Sequence, residues 1–443
     1  MKPEARGAEA HPRPIPRPCT PGWSLGPVTS IHILTIRNSK GLGAHVRYGG
    51  DGAAVRPKSS NLSPNRSMPT SAPICDRDAD GIVYLTQLDE EDNCGQDWDT
   101  VTTSSVSTTQ TMSTITSDEV TDYFREVHGR TFAHDENLPV TYPIDDIEIH
   151  RHQMQHVFLR ALVHGNYIGP VHEVLKPRFD GSRPRILDIR TCSGDWAQEM
   201  ATEFPHCDIV SVDIAPTATH TPRPNISFEV YDLYAGIAEP DESFDYVSCR
   251  HVQLHVKDFD RLVFDSHRVL KPGGLITICE VENYIFEVDE PPYNNTCNRT
   301  APNVARGVEV LRAAVHHQGV DIDCIYELET WLQPKSYFWT KTADKYDIPS
   351  VDYAKSSRGF RDIQKQVVLL PVGTWHPDPA VQRVGEIVTR TFSLAWRQTD
   401  AAMIEAGISK EDAEDICAKA IAELNCMKLP LLGKYIMVYA TRL

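Results

Sequence analysis

The stretch Arg185-Ile-Leu-Asp-Ile-Arg-Thr-Cys-Ser-Gly-Asp-Trp-Ala197 determines how the rest of the sequence is interpreted. Its apolar first half predicts a β-strand that ends on Asp188, and a helix is predicted to open near Gly194. A second predicted strand follows and ends on another acid, Asp213. A strand, a tight turn and a helix in this order are typical of a doubly wound α/β fold. Arg190 and Cys192 stand at two turn positions that commonly hold glycine.

Strands and helices alternate downstream of this stretch. The predicted strands are 185–189, 208–213, 226–230, 244–249 and 275–280, and the apolar runs 366–370 and 435–440 can complete the sheet. Helices are predicted over 145–165, 258–269 and 304–318, and a turn is predicted over 271–274. Because strands joined by crossover helices pair in parallel, the sequence predicts a Rossmann-like, doubly wound α/β fold. We expect a mostly parallel, seven-stranded sheet with helices on both faces, helical additions and a disordered N-terminus.

Composition divides the chain into a tail and a globular body. Residues 1–117 are predicted to be disordered, because 1–67 are basic and rich in Pro and Gly and 100–117 are almost all Ser and Thr. The body over 118–443 is expected to contain a helical cap (118–180), a cofactor-binding core (185–280) and insertions that form a substrate pocket or lid (281–365 and 376–430).

The charge distribution argues against a nucleic acid as the main substrate. The 443-residue chain has a formal net charge of −17, although residues 1–67 carry 10 Lys and Arg against 3 Asp and Glu. An acidic body repels a polyanion, so no nucleic-acid partner is expected. A stretch of about 18 apolar residues is absent, which predicts no membrane span. The 11 cysteines form no CxxC pair, and without a secretory signal we expect reduced thiols in the cytoplasm.

Three residues of the opening motif and its partner strand suit a nucleotide-like cofactor. In an open parallel sheet the ligand lies at the carboxyl ends of the strands, where strand order reverses. The turn ending at Gly194 brings backbone N–H groups and a helix N-terminus close to the ligand. Asp213 can accept hydrogen bonds from ribose hydroxyls, and Asp188 ends the first strand of the same unit.

The spacing Asp-x-Arg-x-Cys-x-Gly resembles the D/E-x-G-x-G-x-G motif of class I S-adenosylmethionine-dependent methyltransferases, with the first two glycines replaced. Three further landmarks are similar in order and spacing: Tyr231-Asp-Leu233 after the third strand, Pro240–Ser248 before the fourth, and Arg268–Gly274 before the fifth. The resemblance implies S-adenosylmethionine as the cofactor. It also implies that Asp232 contacts the adenine amino group. Arg190 departs from the motif, and we expect its side chain to point outward, or to pair with the cofactor carboxylate or with Asp188.

A narrower resemblance is to fungal methyltransferases related to LaeA and the UMTA group. It is carried by Tyr142-Pro143, Gln155-His156, Ile186–Pro205 and Leu370-Pro-Val-Gly-Thr-Trp375, and it covers about residues 120–443. The analogy implies that Gln155 and His156 lie near the methionine end of the cofactor. The cofactor-binding residues expected from the two resemblances are Asp188, Arg190, Gly194, Asp213, Ile214, Asp232, Leu233, Arg250, Gln155 and His156.

Candidate catalytic residues lie at the ends of the fourth and fifth strands. They are His255, His251 and Glu280, each able to remove a proton from an acceptor hydroxyl. The four-residue spacing of the two histidines also suits a metal site, but no third ligand with a familiar pattern follows, so no metal is expected. For His255 and Glu280 a purely structural role stays open.

The family resemblance predicts methylation of a small-molecule acceptor, most simply at oxygen, in fungal secondary metabolite biosynthesis. An alternative is a LaeA-like regulator that acts through protein partners, in the nucleus instead of the cytoplasm. A third hypothesis is a cofactor-binding pseudoenzyme, because Arg190 and Cys192 replace the glycines of the motif.

Overall fold

The computed structural model describes residues 121–216, 223–233, 236–348 and 358–443. The predicted disorder of residues 1–117 lies outside these described residues. In chain order, the strands are β1 (Phe124–Val127), β2 (Arg130–Ala133), β3 (Arg185–Ile189), β4 (Asp208–Asp213), β5 (Ile226–Val230), β6 (Phe244–Arg250), β7 (Leu270–Val281), β8 (Phe286–Glu287), β9 (Phe360–Val372) and β10 (Leu431–Arg442). The α-helices are α1 (Asp146–Val163), α2 (Val171–Val174), α3 (Asp195–Glu203), α4 (Phe259–Val269), α5 (Pro302–His317), α6 (Leu328–Trp331), α7 (Tyr337–Lys345), α8 (Pro379–Trp396), α9 (Asp400–Glu405) and α10 (Lys410–Leu424).

The main sheet confirms the predicted doubly wound fold, although within the described residues it has eight strands and not the seven expected. Its order is β5-β4-β3-β6-β7-β10-β8, and β9 pairs with β10. The strands β5, β4, β3, β6 and β7 are parallel, whereas β10 runs antiparallel to its neighbours β7, β8 and β9. Strand order reverses between β3 and β6, because the chain first builds outward to β5 and then returns. That reversal opens a crevice at the carboxyl ends of the strands, where ligands bind in such sheets.

Both faces of the sheet are buried at β3, β4 and β6, which explains why apolar residues occupy both faces of these strands. Side chains alternate along β3, so Ile186 packs with Trp196 and Met200 of α3 on one face. Leu187 packs with the cluster that includes Phe264 of α4 on the opposite face. A third cluster joins α1 to α8, α10 and β10 beyond the antiparallel edge. The helices therefore cover the sheet from two sides, as the alternation of strands and helices predicted.

Two local predictions are wrong. The segment predicted as a helical cap over 118–180 begins with the hairpin β1–β2, and its main helix α1 starts only at Asp146. The carboxylate of Asp145 accepts the N–H of Glu148 and caps α1. The segment that contains the hairpin therefore ends at this residue. The turn predicted over 271–274 lies within β7, where Gly273 has a φ of 80° and accommodates an irregularity in the pairing with β6.

No helix in the described part of the chain is long and apolar enough to cross a membrane.

A close approach between two glycines joins α8 to the end of β9. A Cβ atom added at Gly385 would lie 2.0 Å from the carbonyl oxygen of Gly373, which is backbone and cannot rotate away. We therefore expect Gly385→Ala to lower the free energy of unfolding by about 1–3 kcal/mol. Urea denaturation measures this change. Gly165→Ala is the matched control, because a Cβ there meets nothing within 4 Å. A Gly385→Ala variant as stable as this control would contradict the packing described.

Candidate active site at the carboxyl ends of the sheet

The turn between β3 and α3 keeps the backbone shape of a glycine-rich turn although two of its glycines are replaced. Arg190, Cys192 and Gly194 have φ angles of 71°, 53° and 78°. This left-handed region costs a side-chain-bearing residue about 1–2 kcal/mol. The turn is held because the N–H groups of Arg190 and Thr191 both donate to the carbonyl of Val212 in β4. Gly194 then forms the N-cap of α3.

Asp213 ties the turn to the end of β4. One carboxylate oxygen accepts the N–H of Cys192 at 3.0 Å, and the other accepts the N–H of Ile214 at 2.8 Å. Burial raises the pKa of Asp213, although Arg190 and these N–H groups act in the opposite direction. Its side chain lines a cavity together with Ile214 and Leu233. Three residues predicted for the cofactor site are therefore together at one wall.

Asp188 lies beneath the turn and does not line this cavity. It is fully buried, accepts the hydroxyl of Ser211 at 2.8 Å, and has the guanidinium of Arg250 3.6 Å from its Oδ1 atom. Burial raises the pKa of Asp188 to about 6. Arg250 in turn lies over the ring of Trp196, 4.5 Å from its centroid. The pair supports the floor of the site, and Oδ1 of Asp188 receives no hydrogen bond from the described residues.

Two cavities meet at the carboxyl ends of β3, β4, β6 and β7. We name the two cavities after the ligands expected from the sequence. The nucleoside-side cavity, defined by Asp213, Ile214 and Leu233, has a volume of about 800 Å³ including open solvent. The acceptor-side cavity, defined by Glu280 and Tyr284, has a volume of about 960 Å³ on the same basis. The residues that line both cavities and form the partition between them are Tyr142, His152, Arg190 and His255.

Arg190 lies in this partition and does not point outward. Its Nη1 donates to the carbonyl of His251 at 2.8 Å, and its Nη2 lies 3.1 Å from Nε2 of His152 on α1. The expected pairing with Asp188 is wrong, because Arg250 holds that position. The residue that replaces the first glycine of the motif thus connects the turn to α1 and to the end of β6.

Glu280 lies at the end of β7 and faces the acceptor-side cavity. Its Oε1 accepts the N–H groups of Val252 and Gln253, at 2.8 and 3.2 Å. Burial raises the pKa of Glu280 to about 7, because these two N–H groups and two distant guanidinium groups only partly offset the loss of hydration. A carboxylate with this pKa can hold or release a proton near neutral pH.

The two histidines predicted as catalytic both reach the cavities. His251 stacks on Tyr435 with ring centroids 5.5 Å apart, and Nε2 of Gln155 lies 3.0 Å from its Nδ1. His255 belongs to a short 3-10 helix and lines both cavities. Burial lowers the pKa of each histidine well below 6.5, and nearby guanidinium groups lower it further. Both rings are therefore neutral, and the described residues contain no cluster of three or more metal-ligating side chains.

His156 and Asp232, both predicted to bind the cofactor, line neither of the two cavities. His156 projects toward Glu199 of α3, with Nε2 3.3 Å from Oε2, and lines a smaller cavity beside Trp196 and Arg250. Asp232 is half-buried just after β5, between the buried Tyr231 and the cavity-lining Leu233. Gln155 and His156 are adjacent in sequence but face different cavities, because successive helix residues point about 100° apart.

A buried ionic network on α1 was missed from the sequence. Arg151 pairs with both oxygens of Glu148, at 2.7 Å each, and its Nη2 lies 3.1 Å from His152. Burial and two guanidinium groups lower the pKa of His152 to about 3. The signal was present, because Glu148, Arg151 and His152 have the i, i+3 and i+4 spacing of one helix face. The spacing alone does not indicate that this charged face of the helix is buried.

Comparisons with known proteins agree with this geometry. Residues 151–347 match the family described as "Methyltransferase domain". The chain is 27% identical over 212 residues to the secondary metabolism regulator laeA of Coprinopsis cinerea, which covers 47% of this chain and 52% of that protein. It is 25% identical over 302 residues to methyltransferase pytC of Aspergillus terreus, covering 64% and 81%. The chain thus spans about half the length of laeA.

A solved structure is also similar, although the likeness is distant. Phosphoethanolamine N-methyltransferase 2 of Haemonchus contortus, in complex with phosphomonomethylethanolamine and S-adenosylhomocysteine, matches with a TM-score of 0.34 and 16% identity. The match covers 73% of this chain and 72% of that one. With the turn and the acid at the end of β4 in place, residues 151–347 match a methyltransferase domain, and the chain is similar to fungal proteins of the laeA and pytC kind.

Proposed function

We propose that this protein transfers a methyl group from S-adenosylmethionine to a small organic acceptor, at an oxygen atom. The observation that carries the proposal is the pair of adjoining cavities at the carboxyl ends of the sheet. Asp213 lines the nucleoside-side cavity and Glu280 lines the acceptor-side cavity. One cavity therefore offers a carboxylate to a ribose, and the other offers a carboxylate to an acceptor hydroxyl.

The residues of the nucleoside-side cavity fit S-adenosylmethionine, the cofactor of the methyltransferase family. The left-handed turn at Arg190, Cys192 and Gly194 keeps the backbone path of the family motif. Asp213 would hold the ribose, and Leu233 and Ile214 would contact the adenine. Gly194 and the N-terminus of α3 would lie next to the methionine part, with Gln155 closing over it from α1. When bound, the cofactor supplies an electrophilic methyl group on a sulfonium.

Glu280 is the best candidate for the group that removes the acceptor proton. Its Oε1 is held by two backbone N–H groups, which fix the carboxylate at the cavity wall. Its pKa of about 7 lets it accept a proton from a hydroxyl at neutral pH. His251 and His255 are weaker bases, because their pKa values lie well below 6.5. We assign them the roles of shaping the partition and orienting the acceptor.

The walls of the acceptor-side cavity support an apolar acceptor. They come mainly from the end of β7 and the loop after it, from α5 and from α8. The loop and the two helices belong to the predicted substrate insertions 281–365 and 376–430. The residues that provide this apolar surface are Val281, Tyr284, Ile285, Val308, Leu311, Val315, Ile322, Phe392, Ala395 and Trp396. A cavity of this kind selects by shape and apolar area, with a few polar groups for orientation.

The relatives support the setting of the reaction. Methyltransferase pytC and methyltransferase str2 of Strobilurus tenacellus are fungal methyltransferases, and the latter is 21% identical over 287 residues. A role in fungal secondary metabolite biosynthesis follows by analogy. The similarity to the laeA regulator favours a second candidate, a regulatory protein that acts through protein partners. The cytoplasm, or the nucleus for a regulator, stays a prediction from the sequence.

Asp213→Ala should weaken binding of S-adenosylhomocysteine by about 1.5–3 kcal/mol, because a carboxylate that accepts ribose hydrogen bonds is lost. Isothermal titration calorimetry on the full chain measures the change. Asp208→Ala is the matched control, since Asp208 opens the same strand at its opposite end and pairs with Arg183 on the surface. Equal affinity in the two variants would show that the ribose is placed wrongly. No binding to the unaltered chain would contradict the catalytic proposal and leave the regulator or the pseudoenzyme.

Methyl transfer should depend on the ionisation of Glu280. The rate should rise with pH through about 7 and level off above it, because only the ionised carboxylate accepts a proton. Glu280→Gln should lose this rise and react roughly 10²- to 10⁴-fold more slowly. Radiolabelled methyl transfer to a panel of phenols and hydroxy acids first finds an acceptor and then measures the pH profile. An unchanged profile in the variant would exclude Glu280 as the base.

The same carboxyl group should make the fold less stable as pH rises. The folded chain keeps the Glu280 proton up to a pKa of about 7, whereas the unfolded chain releases it near 4.5. The free energy of unfolding therefore falls between these values and is level above them. Glu280→Gln cannot titrate, so from pH 5 to pH 8 it should gain roughly 2–3 kcal/mol relative to the unaltered chain. Urea denaturation at pH 5, 6, 7 and 8 measures this gain, and a constant difference would contradict it.

A further inference from the structure

Arg190 is a buried cation whose hydrogen bonds reach no acidic side chain of the described residues. Its side chain is 8% exposed, and its hydrogen bonds go to two neutral acceptors, the carbonyl of His251 and the ring of His152. Among the residues that the structure describes, no Asp or Glu forms an ion pair with it. A guanidinium has five N–H donors, so most of its capacity for a planar, bidentate ligand is unused.

The charged groups near Arg190 are engaged with other partners. Arg151 lies on the facing helix, but its own charge is neutralised by both oxygens of Glu148. His152 and His255 are neutral, because burial and the arginines lower the pKa of each ring. Asp213 and Glu280 interact electrostatically with Arg190 but form no ion pair with it, since backbone N–H groups hold their carboxylates, and burial still raises the pKa of both. A buried, unpaired charge is costly, so this arrangement favours an anionic ligand.

The position of Arg190 determines which ligands can reach it. It lies in the partition, next to the acceptor-side cavity of about 960 Å³ whose walls are mostly apolar. Glu280 lines the same cavity, so a molecule that pairs with Arg190 lies within reach of that carboxylate. Three arginines line this cavity, but Arg151 pairs with Glu148 and Arg312 pairs with Asp323. The guanidinium of Arg190 forms no ion pair with the described residues, and with the apolar surface around it this suits an apolar molecule that carries one carboxylate.

We propose that Arg190 is a carboxylate-binding subsite for the methyl acceptor, and that the acceptor class is therefore an apolar, preferably aromatic, organic acid. This inference rests on the proposed function and deepens it. Replacement of the first motif glycine is then a specificity determinant: the arginine binds the acid group and orients a hydroxyl of the same molecule toward Glu280. The amino-acid end of the cofactor also carries a carboxylate. The experiment distinguishes binding of that carboxylate to Arg190 from binding of the acceptor.

The test uses 2-naphthoate and its neutral analogue 2-naphthamide as probes, titrated by calorimetry into the full chain saturated with S-adenosylhomocysteine. The unaltered chain should bind the acid roughly tenfold or more tightly than the amide, because the acid forms charge-assisted hydrogen bonds. Arg190→Met should abolish this preference, and Arg190→Lys should retain part of it. Arg306→Met is the charge-matched control, since Arg306 is exposed on α5, and it should keep the full preference.

A second titration compares S-adenosylhomocysteine with 5′-deoxy-5′-methylthioadenosine, which lacks the amino-acid carboxylate. Under our proposal Arg190→Met affects the two nucleosides equally. A selective loss of S-adenosylhomocysteine affinity would assign Arg190 to the cofactor carboxylate and overturn the acceptor subsite. An acid preference that survives in Arg190→Met, or is absent from the unaltered chain, would overturn it as well.

The two proposals fail in different ways. Loss of all nucleoside binding in the unaltered chain refutes the methyltransferase proposal, and the acid-over-amide preference is then measured without nucleoside. Circular dichroism shows whether Arg190→Met folds. If it does not, Arg190→Lys decides: a preference above zero but below that of Arg306→Met supports recognition of the acid at this position, and a preference of zero, or one equal to that of Arg306→Met, in a folded Arg190→Lys contradicts it.

Discussion

The carboxylate of Asp213 holds the site together. It accepts the N–H of Cys192 in the turn after β3 and the N–H of Ile214 at its own strand end. The turn itself is strained, because Arg190 and Cys192 both adopt positive φ angles. Hydrogen bonds from the turn to β4 offset this strain. Both cavities depend on that turn, since Arg190 starts from it and forms part of the partition between them.

Around the partition, burial shifts the pKa values of the histidines and of Glu280 in opposite directions. Arg151 and Arg190 keep His152, His251 and His255 neutral, because each ring is buried near guanidinium groups. Burial moves Glu280 in the opposite direction, to a pKa of about 7. The group that can exchange a proton near neutral pH is thus the carboxylate, whereas two histidines looked equally suitable in the sequence.

Much of the fold was predictable because its signals are local. The parallel strands alternate with amphipathic helices, and the strands β3, β4 and β5 were predicted with the ends that the structure has. The hairpin β1–β2 was not predicted, because its strands are short and show no clear alternation of polar and apolar residues. Its formation depends on contacts with residues outside the segment. The residues predicted as a turn over 271–274 lie within β7, where the pairing with β6 passes from Leu270 to Leu275 and leaves these four residues as an irregularity in the strand.

The sequence by itself determined the fold class, the tight turn after β3 and the acids Asp188 and Asp213 at the strand ends, because these depend on local pattern and on neighbouring strands. Tertiary structure decided where side chains far apart in sequence meet. It separated Asp188 from the cavity, placed Arg190 between His152 and His251, and turned Gln155 and His156 toward different cavities. Burial also sets the charge of Glu280 and the histidines, and burial is a property of the packed fold that no local pattern contains.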